Sequence, residues 1–230
     1  MIKHQRNLLC LVLITVALSG IGYTRNGVNK CNGLHFIDCI TSGDDAPSVV
    51  NAIIEIPKGG RVKYEVDRRY GILKVDRVLP VDSTFPINYG LIPRTLGEDG
   101  DPLDILVLAS APIKPLSRVE CRVIGVMLMV DQGDADHKIL AVMDRDADYS
   151  SLKDIEDVPM TLKKEIKGFF ENYKKAEKKY VFVETFRDKL FAYDIIEEAM
   201  ARYKFKPTEA ELIQQADNAV LKSRNFGHNF

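Results

Sequence analysis

The sequence predicts an α+β fold that is mainly β, a small antiparallel barrel flanked by two or three helices. Two observations carry this. Short β-branched runs follow one another from Val49 to Met143, and helical spacing sets in only after Pro159. The predicted strands are Ala52–Ile56, Val62–Asp67, Ile72–Asp76, Leu103–Ala109, Val119–Val130 and Lys138–Met143. Gly-Gly, Tyr-Gly, Gly-Glu-Asp-Gly and Asp-Gln-Gly turns break them. Pro159 behind Asp157 opens a helix whose Leu162, Ile166, Phe169, Tyr173 and Ala176 repeat on one face. A last strand, Tyr180–Glu184, precedes a second helix with Ala192, Ile195, Ala199 and Tyr203 along one side. Thr208-Glu-Ala-Glu211 has the capping-box pattern and predicts a third helix through Leu212, Ala216 and Val220.

Composition narrows the function classes. In 230 residues, 46% are hydrophobic and 28% charged, an ordinary globular mix. Lys plus Arg number 32 against 33 Asp plus Glu, so the net charge is -1 and a dedicated nucleic-acid binder is not indicated. The acids cluster, and the clusters carry the chemistry.

Residues 1–19 have the three parts of a secretory signal: Lys3 and Arg6, the apolar run Leu8 to Leu18, and small Ala17 and Ser19 at the cleavage positions. The run is short of the roughly 20 residues of a membrane span, so no stable span is expected. Cleavage after Ser19 and export to the periplasm or another extracytoplasmic place are the expectation, with a cytoplasmic chain as the alternative. A Gly/Asn/Ser/Asp-rich linker is expected over 20–47, the main folded domain over 48–205 and an extension, possible as a helix, over 206–230. In an oxidising compartment Cys31 and Cys39 are free to pair, while Cys121, in an apolar run, reads as a buried thiol.

Asp99-Gly-Asp-Pro-Leu-Asp104 places three carboxylates within six residues. Like charges that close repel unless cations intervene, and an oxygen-only set suits hard divalent ions such as magnesium or manganese. On charge counting alone, Asp104→Asn relieves repulsion in the metal-free chain and is expected to melt no lower than wild type. Asp131, Asp134 and Asp136 form a second cluster after the long strand, with Lys138 following. Asp144-Arg-Asp146-Ala-Asp148 lacks the glycine and closing glutamate of a calcium loop and reads as a polar turn. Strand alternation puts Lys63 and Glu65 on one face, opposite Val62, Tyr64 and Val66, with Glu55 and Arg77 placed to join them. Lys58, Arg61 and Arg94 carry no motif and read as surface.

These residues carry a resemblance. Ile54-Glu-Ile-Pro57, Lys63-Tyr-Glu65, Val75-Asp-Arg77, Asn88-Tyr-Gly90, Asp99-Gly-Asp-Pro-Leu-Asp104, Asp131, Asp136, Lys138 and Tyr173-Lys174 resemble, in order, the family I soluble inorganic pyrophosphatases of bacterial type. The likeness runs from Ile53 to Tyr203. It implies an OB-like barrel with a carboxylate-lined mouth, hydrolysis of pyrophosphate to two phosphates, and three or four magnesium ions, with manganese or zinc able to substitute. It implies that Asp99, Asp104 and Asp136 hold one metal, that Asp104 bridges to a second, and that Asp131 and Asp136 hold a third. Glu65 and Glu55 would serve metals arriving with substrate. Asp101 matches the general base. Lys63, Arg77, Lys138 and Lys174 would neutralise phosphates, with Tyr89 and Tyr173 donating hydrogen bonds. A homohexamer is also implied. Phe85 departs from several bacterial relatives, which place a tyrosine there. The exported N-terminus departs from a typically cytoplasmic family. An oligonucleotide-binding barrel, an inactive metal-binding relative and a broader phosphatase are the competing classes. An acid-crowded face disfavours the first, and the matched acids and bases disfavour the second.

Overall fold

The computed structural model describes residues 36–67 and 70–204. The predicted signal segment, Cys31 and the predicted third helix lie outside them. The elements run α1 (Phe36–Cys39), β1 (Val49–Ile56), β2 (Val62–Asp67), β3 (Ile72–Val78), β4 (Asn88–Leu91), β5 (Asp104–Leu108), β6 (Arg118–Asp131), β7 (Asp134–Ala135), β8 (Lys138–Met143), α2 (Met160–Asn172), β9 (Val181–Arg187) and α3 (Lys189–Lys204). Among the described residues, seven strands make one sheet, and β2 pairs with β3 as a separate hairpin. The sheet runs β1-β4-β5-β8-β6, and β1 pairs again with β6, so five strands close into a ring. β9 adds to β6 outside that ring. All pairings are antiparallel except β5 with β8.

Both faces of the ring are covered, which explains why its strands read as continuous apolar runs. Along β5 and β8, Leu106, Leu108, Leu140 and Val142 join one core with Ile166 and Phe170 of α2. Their neighbours Ile105, Val107, Ile139 and Ala141 join a second core with Ala192, Ile196 and Ala199 of α3. Each helix therefore closes one face of the same strands. Tyr173 caps α2, and Ala176 falls in the 3-10 turn Lys175–Glu177 rather than on the helix.

Two local features differ from the sequence reading. The part of the linker that is described is bonded to the barrel: buried Ser42 donates to Pro93 O at 2.8 Å, and Asn51 Nδ2 donates to Thr41 O at 2.9 Å. Arg94, read as surface, donates from Nε to Asp38 O at 2.9 Å, and Arg61 donates from Nη2 to Leu79 O at 3.0 Å. Cys39 is disulfide-bonded, and Cys121 is a buried free thiol whose pKa is pushed up by burial. The Asp144–Asp148 segment is a turn, with Asp146 capping a 3-10 helix and accepting from Ser110 N at 2.6 Å.

β4 brings its backbone against β1. A Cβ on Gly90 would stand 2.1 Å from Ile53 O, so only glycine permits the pairing that sets Tyr89 beside the ring's mouth. At the end of β6, Asp131 faces Asp134 across a two-residue hairpin. Gln132 (φ 54) and Gly133 (φ 106) both have positive φ, as such turns demand.

Candidate active site

Every predicted site residue except Arg77 lines one cleft of about 650 Å³. Six pieces of chain build it, among them β4, which brings Tyr89, and α3. β1 and β2 bring Glu55, Lys63 and Glu65. The loop before β5 brings Asp99 and Asp101, and β5 opens on Asp104. The β6–β8 end brings Asp131, Asp136 and Lys138, and the segment after α2 brings Tyr173 and Lys174.

Parallel pairing fixes the centre. Asp104 and Lys138 are the first residues of β5 and β8 and stand in register. Lys138, its side chain 2% exposed, forms ion pairs with both Asp104 and Asp136. Burial opposes its charge, but Asp104 and Asp136 outweigh burial and hold its pKa above the ordinary lysine value. The pattern repeats around the cleft. Lys174 pairs with Asp131, and Lys63 pairs with Glu65 and, at 3.2 Å, with Asp76. Burial likewise opposes the charge of Lys63, and Glu65 then Asp76 hold it up.

Glu55 sits deeper, buried, its Oε1 accepting from Val66 N at 2.7 Å. Burial first, then the charge of Asp104, raises its pKa to about 8, so it carries a proton at neutral pH in the metal-free chain. Burial keeps the phenols of Tyr89 and Tyr173 above the usual tyrosine value, which leaves both as hydrogen-bond donors. Their rings are braced from behind. Phe85 lies 5.5 Å from Tyr89 and 4.7 Å from Phe169, which stacks on Tyr173 at 5.5 Å. The phenylalanine at 85 is thus buried core rather than a hydroxyl facing the cleft.

Arg77 stands outside the lining. Asp76 holds its Nη1 at 2.7 Å, Glu177 lies 2.7 Å from its Nε, and its guanidinium sits 5.7 Å from the Tyr173 ring centre. Asp76 and Glu177 escaped the sequence reading, as did His137 and the α3 wall of Asp194, Glu198 and Arg202. The spacing of those last three, four residues apart on one helix, was the only available signal, and a solvated face has the same spacing.

Among the described residues, no three carboxylate, imidazole or thiol groups converge closely enough to hold one ion. The donor chemistry nonetheless fits a hard cation. Asp99, Asp104, Asp131 and Asp136 offer oxygens alone, Asp131 Oδ1 is buried without a hydrogen-bond partner, and lysine ammoniums stand where positive charge is called for.

Residues 52–204 match the family model of the inorganic pyrophosphatases. This chain belongs to that family. Over 161 residues it is 47% identical to a soluble inorganic pyrophosphatase of Zea mays, covering 70% of this chain and 75% of that one. A second, from Chlamydomonas reinhardtii, is 44% identical over 162 residues, 70% of this chain and 84% of its own. The crystal structure of inorganic pyrophosphatase from Thermus thermophilus superposes with a TM-score of 0.70 at 45% identity, covering 72% of this chain and 97% of that one. The ring of strands is the pyrophosphatase OB-like barrel. Hydrolysis of pyrophosphate is the activity of the family, and this pyrophosphatase is a hydrolase. Among the described residues no helix is long and apolar enough to cross a membrane.

Proposed function

We propose that the cleft hydrolyses inorganic pyrophosphate to two phosphates with magnesium ions held by its carboxylates. The observation that supports this most is the interleaving of Lys63, Lys138 and Lys174 with Glu65, Asp104, Asp131 and Asp136 in one mouth. A highly anionic substrate and its cations both need partners there, and each charge type has them. Asp99, Asp104 and Asp136 would hold one ion and Asp104 would bridge to another. Asp131 and Asp136 would hold a third, and Glu65 and Glu55 would receive those that come with substrate. Bound divalent ions supply a lowered water pKa and neutralise phosphate charge.

The chain's own residues do the rest. Lys63, Lys138 and Lys174 exchange carboxylate partners for phosphate oxygens, and Arg77 offers a planar fork. Tyr89 and Tyr173 donate phenolic hydrogens to the same oxygens. Asp101, exposed on its loop, accepts the proton of the attacking water. Phosphate release from pyrophosphate, with magnesium, with excess chelator, and against ATP, tests this. Turnover of pyrophosphate alone, and only with a divalent ion, is the expected result. Equal turnover of ATP, or full activity in chelator, refutes it.

Export and a homohexamer belong to the same reading. Lys3, Arg6, the apolar run and Ala17-Leu18-Ser19 support the first, and likeness to the bacterial members supports the second. Native mass spectrometry of protein from its source cells tests both. Six copies of a chain beginning after Ser19 are expected. An intact Met1 refutes export, and any other copy number refutes the hexamer.

A further inference from the structure

The acidic loop between β4 and β5 closes on itself at a single buried side chain. Thr95 is 1% exposed. Its Oγ1 donates to Ile92 O at 2.6 Å and accepts from Leu103 N at 2.9 Å. Leu103 is the residue immediately before Asp104, and its carbonyl in turn accepts from Ile92 N at 2.8 Å. The two ends of the loop are therefore joined through one hydroxyl and one backbone hydrogen bond. Between them hang Asp99 and Asp101, arranged by Gly97 N donating to Asp101 O at 2.7 Å and Asp101 N donating to Asp99 Oδ1 at 3.0 Å. A Cβ on Gly97 would stand 2.7 Å from Asp99 Oδ1 and push that carboxylate aside.

The closure is also anchored to the body. Leu96 N donates to Ala199 O at 3.0 Å, and Arg202 Nε donates to Leu96 O at 2.8 Å, so α3 holds the peptide next to Thr95. The hydroxyl is the buried side-chain member of the set of bonds that ties the loop to this helix and keeps three like-charged carboxylates from spreading.

We infer that Thr95 is a positioning residue for the metal-holding carboxylates, setting the separation of Asp99 from Asp104 without touching ion or substrate. This rests on the metal reading of the cleft given above. Groups that orient ligands in this indirect way typically change metal affinity about 10–100-fold when removed.

The test uses magnesium alone, with no substrate. Melting curves are recorded across a magnesium titration for the full chain, for Thr95→Val, which keeps the shape and loses the hydroxyl, and for Thr95→Ser, which keeps the hydroxyl. In Thr95→Val the magnesium concentration giving half of the stabilisation is expected to rise about 10-fold or more. In Thr95→Ser it should return to the wild-type value. A merely structural role lowers the melting temperature in chelator but leaves that midpoint where it was. A Val variant with the wild-type midpoint overturns the inference, and so does a Ser variant as impaired as Val. A wild type that melts identically with and without magnesium overturns the metal reading, and this inference with it. Thr95→Ala stands in if Val does not fold. Should neither fold while Ser does, the hydroxyl holds the whole fold and the specific role is refuted.

Discussion

Asp101→Asn is expected to lower kcat by about 10²- to 10⁴-fold, the range set by loss of a general base. Its melting temperature in chelator should barely move, because the side chain is exposed and such substitutions typically change stability by about 0.5 kcal/mol or less. The backbone N–H and C=O of Asp101, which bond Asp99 Oδ1 and Gly97 N, are unchanged by the substitution. Stabilisation by magnesium should therefore survive. Steady-state kinetics at saturating magnesium, run beside melting curves, separate the possibilities. A near-normal kcat removes Asp101 from the base role. A loss of magnesium stabilisation makes it a ligand instead.

Asp104→Asn should act on stability and on rate together. Charge counting along the sequence gives the opposite sign for stability, because it sees three crowded carboxylates and no counter-ion. The structure supplies the counter-ion: Lys138, buried between Asp104 and Asp136. Breaking a buried ion pair costs about 3–5 kcal/mol when the remaining charge is stranded. Here Asp136 remains and the Asp104 side chain is 21% exposed, so a loss of about 1–3 kcal/mol in chelator is expected. Magnesium should then restore little of it, because an ion that binds only the native state stabilises in proportion to its affinity. Activity should fall at least about 10²-fold, the cost of misplacing reacting groups by an ångström. Melting both proteins across a magnesium series checks the account. A variant that melts above wild type in chelator restores the repulsion reading, and one that gains as much from magnesium as wild type excludes Asp104 as a ligand.

That reversal marks where the sequence stops being legible. The acids and lysines were recognisable as types, but Asp104 and Lys138 are 34 residues apart and meet only because β5 and β8 run parallel. Nothing local signals that pairing. β4 was seen as a motif and not as a strand, since Asn88 and Gly90 disfavour strands and only a bare Cα fits beside Ile53. The long strands and both main helices were legible because their apolar periods are sustained over many residues. Arg61 and Arg94 were misread as surface because their partners are backbone carbonyls, which carry no sequence signature. Glu177 carries no motif, and Asp76, inside Val75-Asp-Arg77, shows no role of its own in the sequence, because both act through cations the motifs already claim: Arg77 and, for Asp76, Lys63 as well.

The double pairing of β1, to β4 and to β6, reaches from Val49 to Arg122 before the ring is shut. Contacts over such separations form late and slowly, since the loop entropy is spent before the contacts return it. Asp104 and Asp136 meet through β5 and β8, but Glu55 joins them only once β1 is in place. A cation held by the complete site grips the native state more firmly than a transition state in which the ring is still open. Its stabilisation is then expected to fall mainly on the unfolding step. Loaded with metal, the protein should stay folded longer rather than fold faster.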